Sequence, residues 1–390
     1  MESGHHNKCK STIESEPSNS KKMKNYHLSA IEHVCLRFPT LEEKILNEVD
    51  SQTLIDFTTA SKEMADIPQR ARFFWIRILQ HQLGRLYMGN SEKIPKDWRK
   101  VIKKSPLKIV RELSQIIYQF YSFSTKNKYC IVKCSPMHLA AERGNAKLCQ
   151  YIMDKITDKN PKDFFEETPF HWAAEGGHYK VCKLILENNS DKNPKNGRAV
   201  TPFHVAASKG NVDLCKLIIQ SAKDKNPADS LGTTPLHWAA RSGHNEICKI
   251  IIEKVVDKNP GDCNGETPLH YAATKGQFET CEIILKNVVN KNPANNFGET
   301  PLHRAAFVGK FEIFKLMFQN VSEKSPMDIE GCTPLHVAAR EGHFEIVKFI
   351  MESVNNKSPV DNAGFTPLDC AACGGYLDVC DLIESMTEDC

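Results

Sequence analysis

The sequence lacks the features of a membrane-spanning or secreted protein. No stretch of it reaches the roughly 18–20 consecutive apolar residues that a transmembrane helix needs. Residues 1–25 are polar, with no apolar centre after a basic start, so we expect no secretory signal peptide. Without such a signal, the 15 cysteines are expected to be reduced thiols rather than a disulfide framework. These absences predict a protein of the cytoplasm, the nucleus or both.

Motifs that would indicate catalysis are missing as well. The sequence has no phosphate-binding glycine-rich loop with its lysine, no His-Glu-x-x-His and no Gly-x-Ser-x-Gly. Its formal net charge of +3 over 390 residues is small, so we do not expect the chain as a whole to bind polyanions. We therefore expect a non-enzymatic protein that uses no cofactor and no metal.

A repeat of 33 residues occupies the C-terminal two thirds of the chain. It begins with a Ser-Pro or Thr-Pro pair, whose first residue stands at positions 135, 168, 201, 234, 267, 300, 333 and 366. The threonine is a good helix N-cap, and the proline fits the first helical position, where its missing N–H costs nothing. An alanine pair and then a glycine follow in most copies, which predicts a short helix ended by a left-handed residue.

Each copy continues with a second apolar helix and a loop. In the copy that begins at Thr234, Ile247, Ile250 and Ile251 form an apolar stripe at helical spacing. Residues 257–265 are then rich in turn formers. A single helix pair cannot bury its apolar face alone, so the copies are expected to stack into a solenoid.

The motif Thr-Pro-Leu-His-x-Ala-Ala-x-x-Gly-His, at 234–244 and again at 333–343, resembles the ankyrin repeat. The resemblance covers about residues 130–386 and implies an all-α solenoid of eight repeats over residues 130–390. It further implies short β-hairpin fingers between repeats, and a concave face of fingers and first helices that contacts protein partners. Glu166 and Ala199 replace the usual finger glycine, so distorted fingers are expected there. Asp369 replaces the histidine of the last copy, as suits a capping repeat.

Two sets of residues recur at the 33-residue step and invite a metal-binding interpretation. One is the histidine of the motif, and the other is the cysteine ladder of the second helix, Cys149, Cys182, Cys215, Cys248 and Cys281. Successive repeats lie about 8–10 Å apart, which is too far for either set to share a metal or form disulfides. The resemblance implies that each histidine bonds to loop backbone and ties one repeat to the next, and we interpret the cysteines as buried apolar residues.

Residues that vary between repeats are the candidates for partner recognition, because apolar finger tips and aromatic or arginine side chains typify interfaces. Some of them could instead pack against neighbouring repeats. The predicted partner-binding set is Phe164, Phe165, Trp172, Leu231, Trp238, Arg241, Tyr271, Lys275, Phe297, Arg304, Phe307, Ile329 and Phe365.

The N-terminal third is predicted to hold a disordered tail, residues 1–27, and a small helical domain, residues 28–129. Within it, Phe38-Pro39 and Ser61-Lys62 bracket a series of apolar pairs, and residues 38–79 resemble an F-box. That resemblance implies docking onto the Skp-type adaptor of a cullin–RING ubiquitin ligase. The implied contacts are Leu41, Ile45, Leu46, Val49, Leu54 and Ile55.

Two interpretations of the whole chain follow. In the first, it is a substrate-recognition adaptor of an SCF-type ligase that holds its target on the concave face. In the second, it is a scaffold or inhibitor whose N-terminal helices only cap the solenoid. Residues 84–111 are basic, but they lack the glycine or aromatic motifs of known nucleic-acid modules, so nucleic acid is not an expected partner. A solenoid with capped ends is expected to be monomeric.

Overall fold

The computed structural model describes residues 134–388, together with residues 108, 109, 112 and 113. The first of these ranges lies in the second of two units into which the chain divides, Val132–Cys390. The predicted tail, the F-box-like segment and its six adaptor contacts lie outside the described residues. Among the helices that are described, none has the length and apolar character needed to cross a bilayer.

Residues 134–388 form sixteen helices in eight pairs and contain no strand. The first helices of the pairs are α1 (Pro136–Glu142), α3 (Pro169–Glu175), α5 (Pro202–Lys209), α7 (Pro235–Ser242), α9 (Pro268–Lys275), α11 (Pro301–Val308), α13 (Pro334–Arg340) and α15 (Pro367–Gly374). The second helices are α2 (Ala146–Met153), α4 (Tyr179–Asn188), α6 (Val212–Ser221), α8 (Asn245–Lys254), α10 (Phe278–Asn287), α12 (Phe311–Asn320), α14 (Phe344–Ser353) and α16 (Leu377–Glu388). The predicted all-α repeat fold is confirmed.

The pairs stack in chain order, first helix against first helix and second against second. The alanine pair of each inner repeat is fully buried where first helices meet, as Ala239 and Ala240 are in α7. The five cysteines of the predicted ladder are fully buried among second helices, and burial raises the pKa of each thiol to about 12. They act as small apolar side chains, as predicted.

The motif histidine joins one helix pair to the next. In the fourth pair, the backbone N–H and the hydroxyl of Thr234 both donate to His237 Nδ1, at 3.1 and 3.0 Å. Nδ1 is therefore the acceptor, and Nε2–H donates to the carbonyl of Glu266, 29 residues along the chain, at 3.0 Å. The same arrangement recurs in the first seven pairs. In the eighth, Asp369 takes the place of the histidine and accepts from the N–H and the hydroxyl of Thr366, at 2.8 and 2.7 Å.

The second helices end without a left-handed residue. The C-caps of α4, α6, α8, α10, α12 and α14 are extended, as at Val255 with φ −107° and ψ 148°, whereas α2 ends at Asp154 in the right-handed helical region. The lysine of the following Lys-Asn-Pro or Lys-Ser-Pro segment then caps the free carbonyls: half-buried Lys192, Lys225 and Lys324 donate to Leu186, Ile219 and Phe318, respectively. In these repeats the lysine satisfies a carbonyl of the last turn, as a left-handed glycine does at many other helix ends.

The fingers are tight turns rather than β-hairpins in the described range. In the finger at 229–233, Asp229 Oδ1 accepts from the backbone N–H of Leu231 and of Thr233, both at 2.9 Å. Only one backbone bond joins this finger to the preceding one, from Ser230 N to Arg198 O at 2.9 Å, and one bond makes no strand ladder.

The prediction that the fingers at Glu166 and Ala199 are distorted is wrong. Their φ angles of 60° and 56° place them in the left-handed region, where Gly232 has φ 78°. Glu166 and Ala199 keep the same turn hydrogen bonds, so these two fingers have the common shape and carry backbone strain instead.

We predict that Ala199→Gly stabilises the protein and that Gly232→Ala destabilises it. An alanine in the left-handed region costs about 1–2 kcal/mol, and glycine removes this strain. The net gain in stability is smaller, because glycine has more conformational freedom in the unfolded chain. A Cβ at Gly232 would also lie 2.9 Å from the backbone nitrogen of Cys263. Urea denaturation of the two variants would measure both changes. A loss of stability in Ala199→Gly would contradict the strain.

Stability is predicted to fall as the pH is lowered from 6.5 to 4. Burial lowers the pKa of His138, His171, His204 and His270 to about 4. Between the unfolded value of 6.5 and this folded value, the unfolded chain binds more protons, so acid favours unfolding. Urea denaturation at several pH values in this range would measure how steeply the free energy of unfolding depends on pH. His204→Gln should reduce this dependence, because glutamine does not titrate there. A pH-independent free energy of unfolding would contradict the prediction.

Candidate protein-binding face

The predicted partner-binding residues lie on one face of the stack, which we call the finger face: the finger tips and the outward side of the first helices. The tip residues are Phe164, Phe165, Leu231, Phe297 and Ile329, and Phe365 lies at the base of its finger, directly before the Thr-Pro pair. The first-helix residues are Trp172, Trp238, Arg241, Tyr271, Lys275, Arg304 and Phe307. The two groups differ in how far they are available to a partner.

The finger tips are exposed apolar side chains on a fixed backbone. Phe164, Leu231 and Ile329 are 67%, 60% and 63% exposed, respectively, although all are large hydrophobic residues. Phe164 and Phe165 stand edge-on to each other, with ring centroids 5.3 Å apart. Because the turn hydrogen bonds hold each finger, its tip can contact a partner with little further loss of conformational freedom.

The three rings after the motif histidine are part of the fold. Trp172, Trp238 and Tyr271 are half-buried, and each meets the histidine of the preceding pair edge-on at 5.2–5.5 Å. Trp172 Nε1 and Tyr271 OH donate to the finger aspartates Asp163 and Asp262, at 3.1 and 2.8 Å. These rings form the floor between fingers and first helices, so part of their role is internal.

Arg304 is likewise engaged within the chain. Its guanidinium on α11 reaches back to two fingers and forms ion pairs with Glu266 and, at 2.9 Å, with Glu299. By contrast, Arg241, Lys275 and Phe307 are exposed on the outward side of α7, α9 and α11. The structure therefore leaves these three and the finger tips available for contact.

A groove of about 490 Å³ opens on the finger face near its N-terminal end. It is lined by Glu142, Glu167, His171, Trp172, Glu175, Gly176 and Val205. Glu142, Glu167 and Glu175 supply the carboxyl groups of this lining, and burial lowers the pKa of His171 to about 4. Burial, followed by the charges of Asp163 and Glu175, raises the pKa of Glu167.

Sequence reasoning missed the three glutamates. A usable signal existed: the residue just before the Thr-Pro pair is glutamate at 167, 266 and 299, and the residue just after the motif histidine is arginine only at 304. Comparing these two columns together would have shown which carboxylates have an arginine nearby.

Metal-site candidates receive no support within residues 134–388. No three side chains of histidine, cysteine, aspartate or glutamate converge there in an arrangement that could hold a metal ion. Cys370 and Cys373 both lie on α15, and burial raises the pKa of the Cys370 thiol.

Comparison with known proteins agrees with this repeat architecture. A family model described as "Ankyrin repeats (3 copies)" matches residues 102–196, 193–262, 254–328 and 302–389, which is well over half of the chain. The first match begins before residue 130, where the sequence predicts the repeats to start. No curated protein matches the chain.

We predict that Trp238→Ala lowers the free energy of unfolding by about 2 kcal/mol, whereas Leu231→Ala changes it by less than about 0.5 kcal/mol. The reason is that Trp238 packs on His204 and donates to Thr233 Oγ1 at 2.9 Å, while Leu231 is mostly exposed. Trp238→Phe keeps the ring contact and should lie between them. Equal effects of Trp238→Ala and Leu231→Ala in urea denaturation would show that the ring is not part of the fold.

Proposed function

Because the chain belongs to the ankyrin-repeat family, whose repeats serve as protein–protein interaction modules, we propose that it binds a protein partner through its finger face and catalyses no reaction. Eight repeats make up the binding unit in this proposal. The protein acts as a monomer in the cytoplasm or the nucleus, where its buried cysteines stay reduced.

The observation that supports this function is that recurrent residues make contacts within the stack, whereas variable residues are exposed. The recurrent threonine, histidine and lysine side chains form hydrogen bonds within the stack. The residues that differ from repeat to repeat, such as Phe164, Leu231 and Ile329, stand exposed at the finger tips. Exposed apolar residues on a rigid frame are typical of surfaces that bind other proteins.

At a finer level, we propose a substrate-recognition adaptor of an SCF-type ubiquitin ligase. The support is the F-box-like sequence at 38–79, which precedes a repeat domain suited to holding a second protein. Its apolar residues, among them Ile45 and Leu54, would dock on the Skp-type adaptor. The finger face would then hold the protein that is to be ubiquitinated.

A non-catalytic scaffold or inhibitor is the second candidate, and one observation favours it. The family match starts at residue 102, inside the predicted N-terminal helical domain. In this proposal the N-terminal region serves only as a cap of the solenoid and needs no adaptor of its own. Such a protein would bridge or block its partners through the finger face alone.

We expect the full-length chain to co-purify with the Skp-type adaptor and Ile45→Asp/Leu54→Asp to abolish this capture. The two substitutions would place charged aspartates where the F-box resemblance implies apolar contacts with the adaptor. Phe297→Ala/Ile329→Ala is the matched control, since it changes two apolar residues on the finger face and should leave capture intact. Circular dichroism would verify that both variants keep the helix content of the wild type. Absence of capture by the folded wild type would leave the scaffold as the function.

A further inference from the structure

The chain contains its own example of how the finger face holds a guanidinium. Arg304 extends from α11 between two adjacent fingers and meets the carboxylates of Glu266 and Glu299. Asn295 adds a hydrogen bond to Glu299, from Nδ2 to Oε2 at 3.1 Å. All three charged side chains of this contact are mostly buried, so it lies between the fingers rather than on the solvent surface.

Three repeats earlier, the equivalent of Glu266 is also a glutamate, but the equivalent of Arg304 is not an arginine. Glu167 stands where Glu266 stands in the later repeat, while Val205 takes the place of Arg304 and Val200 that of Glu299. Asn196 Nδ2 donates to Glu167 at 3.2 Å, which orients the carboxylate without neutralising it. This position lines the groove described above.

The charges around Glu167 also differ from those around Glu266. Glu142 and Glu175 line the same groove, and Asp163 lies close enough to raise the pKa of Glu167. Glu175 pairs at 2.5 Å with Lys209, but both side chains are about half exposed, so water screens the pair. The groove is therefore lined by three acidic side chains, and the Asn196 bond already orients one of them, Glu167.

The walls of the groove favour a guanidinium over a compact ammonium ion. Trp172 presents a ring on which a planar guanidinium can stack, and Val205 adds an apolar contact for its methylene chain. The finger that carries Glu167 also carries Phe164 and Phe165, both more than half exposed. A peptide with an arginine in the groove would place a neighbouring side chain near these rings.

We propose that this groove binds an arginine side chain of the partner protein, in a segment whose adjacent apolar residue packs on Phe164 and Phe165. The inference rests on the proposed protein-binding function and specifies the chemistry of the partner. The guanidinium takes the place that Arg304 occupies three repeats later. Its bond to Glu167 is charge-assisted and largely desolvated, which gives both affinity and selectivity for arginine over neutral residues.

The test uses a library of random 12-residue peptides displayed on phage and selected on the full-length chain. We expect the selected peptides to be enriched in arginine next to an aliphatic or aromatic residue. Synthetic copies in which citrulline replaces the arginine keep the shape but lose the charge, and they should bind at least about tenfold more weakly. Glu167→Gln should weaken the arginine peptides to a similar degree, whereas Glu330→Gln, on an exposed finger tip outside the groove, should not.

Val205→Arg gives an independent test, because it supplies the groove with a guanidinium from the chain itself. We expect this variant to lose binding of the arginine peptides at least about tenfold and to match or exceed the wild type in thermal stability. Val205→Met is the matched control: it has a similar length and no charge, so it should retain most of the binding. Equal losses in the arginine and methionine variants would point to steric blocking and overturn the inference.

The outcomes separate this inference from the proposed function. Selected peptides that bind equally well with citrulline, or that ignore Glu167→Gln and Val205→Arg, would overturn the arginine groove and leave a protein-binding finger face. Failure of the folded full-length chain to select any peptide would count against both.

Discussion

The structure depends on the bridge that each motif histidine makes between its own helix and the next finger. The ring nitrogen Nδ1 receives the N–H and hydroxyl of the preceding threonine, and Nε2–H donates to a carbonyl 29 residues further along. One neutral side chain thus caps a helix and positions the following finger. Because the bridge recurs in seven successive pairs, the fingers are held in a regular row and the finger face is set before any partner arrives.

This regular frame lets one position serve two purposes. At Arg304 the column after the histidine supplies an internal cation for two finger carboxylates, and at Val205 the same column leaves a carboxylate facing an open groove. At Trp172, Trp238 and Tyr271 the column supplies rings that bond to their own fingers. The surface is therefore diversified by exchanging side chains at positions whose geometry is already fixed.

Much of this architecture could be predicted from the sequence, because a 33-residue repeat exposes the role of each recurrent residue. The helix pairs and the buried cysteines follow from Thr-Pro caps and helical periodicity, and the resemblance to the ankyrin repeat implied the role of the histidines. The lysine caps, the left-handed Glu166 and Ala199, and the engagement of Arg304 could not be predicted in this way. The engagement of Arg304 depends on a contact between neighbouring repeats. The lysine caps and the left-handed turns depend on contacts within one repeat that its motif does not show. The candidate site was predicted at the level of a face, and the groove emerged only when its glutamates were seen together.

Amide hydrogen exchange of the full-length chain, compared with His237→Ala, tests most directly whether the bridges hold the fingers. His237 contacts the carbonyl of Glu266, so the account predicts faster exchange concentrated in the finger at 262–266. The effect should fade over the next repeats, since each repeat contacts only its neighbours. Unchanged exchange in that finger, or an equal acceleration throughout residues 134–388, would contradict the claim that these bridges position the fingers individually.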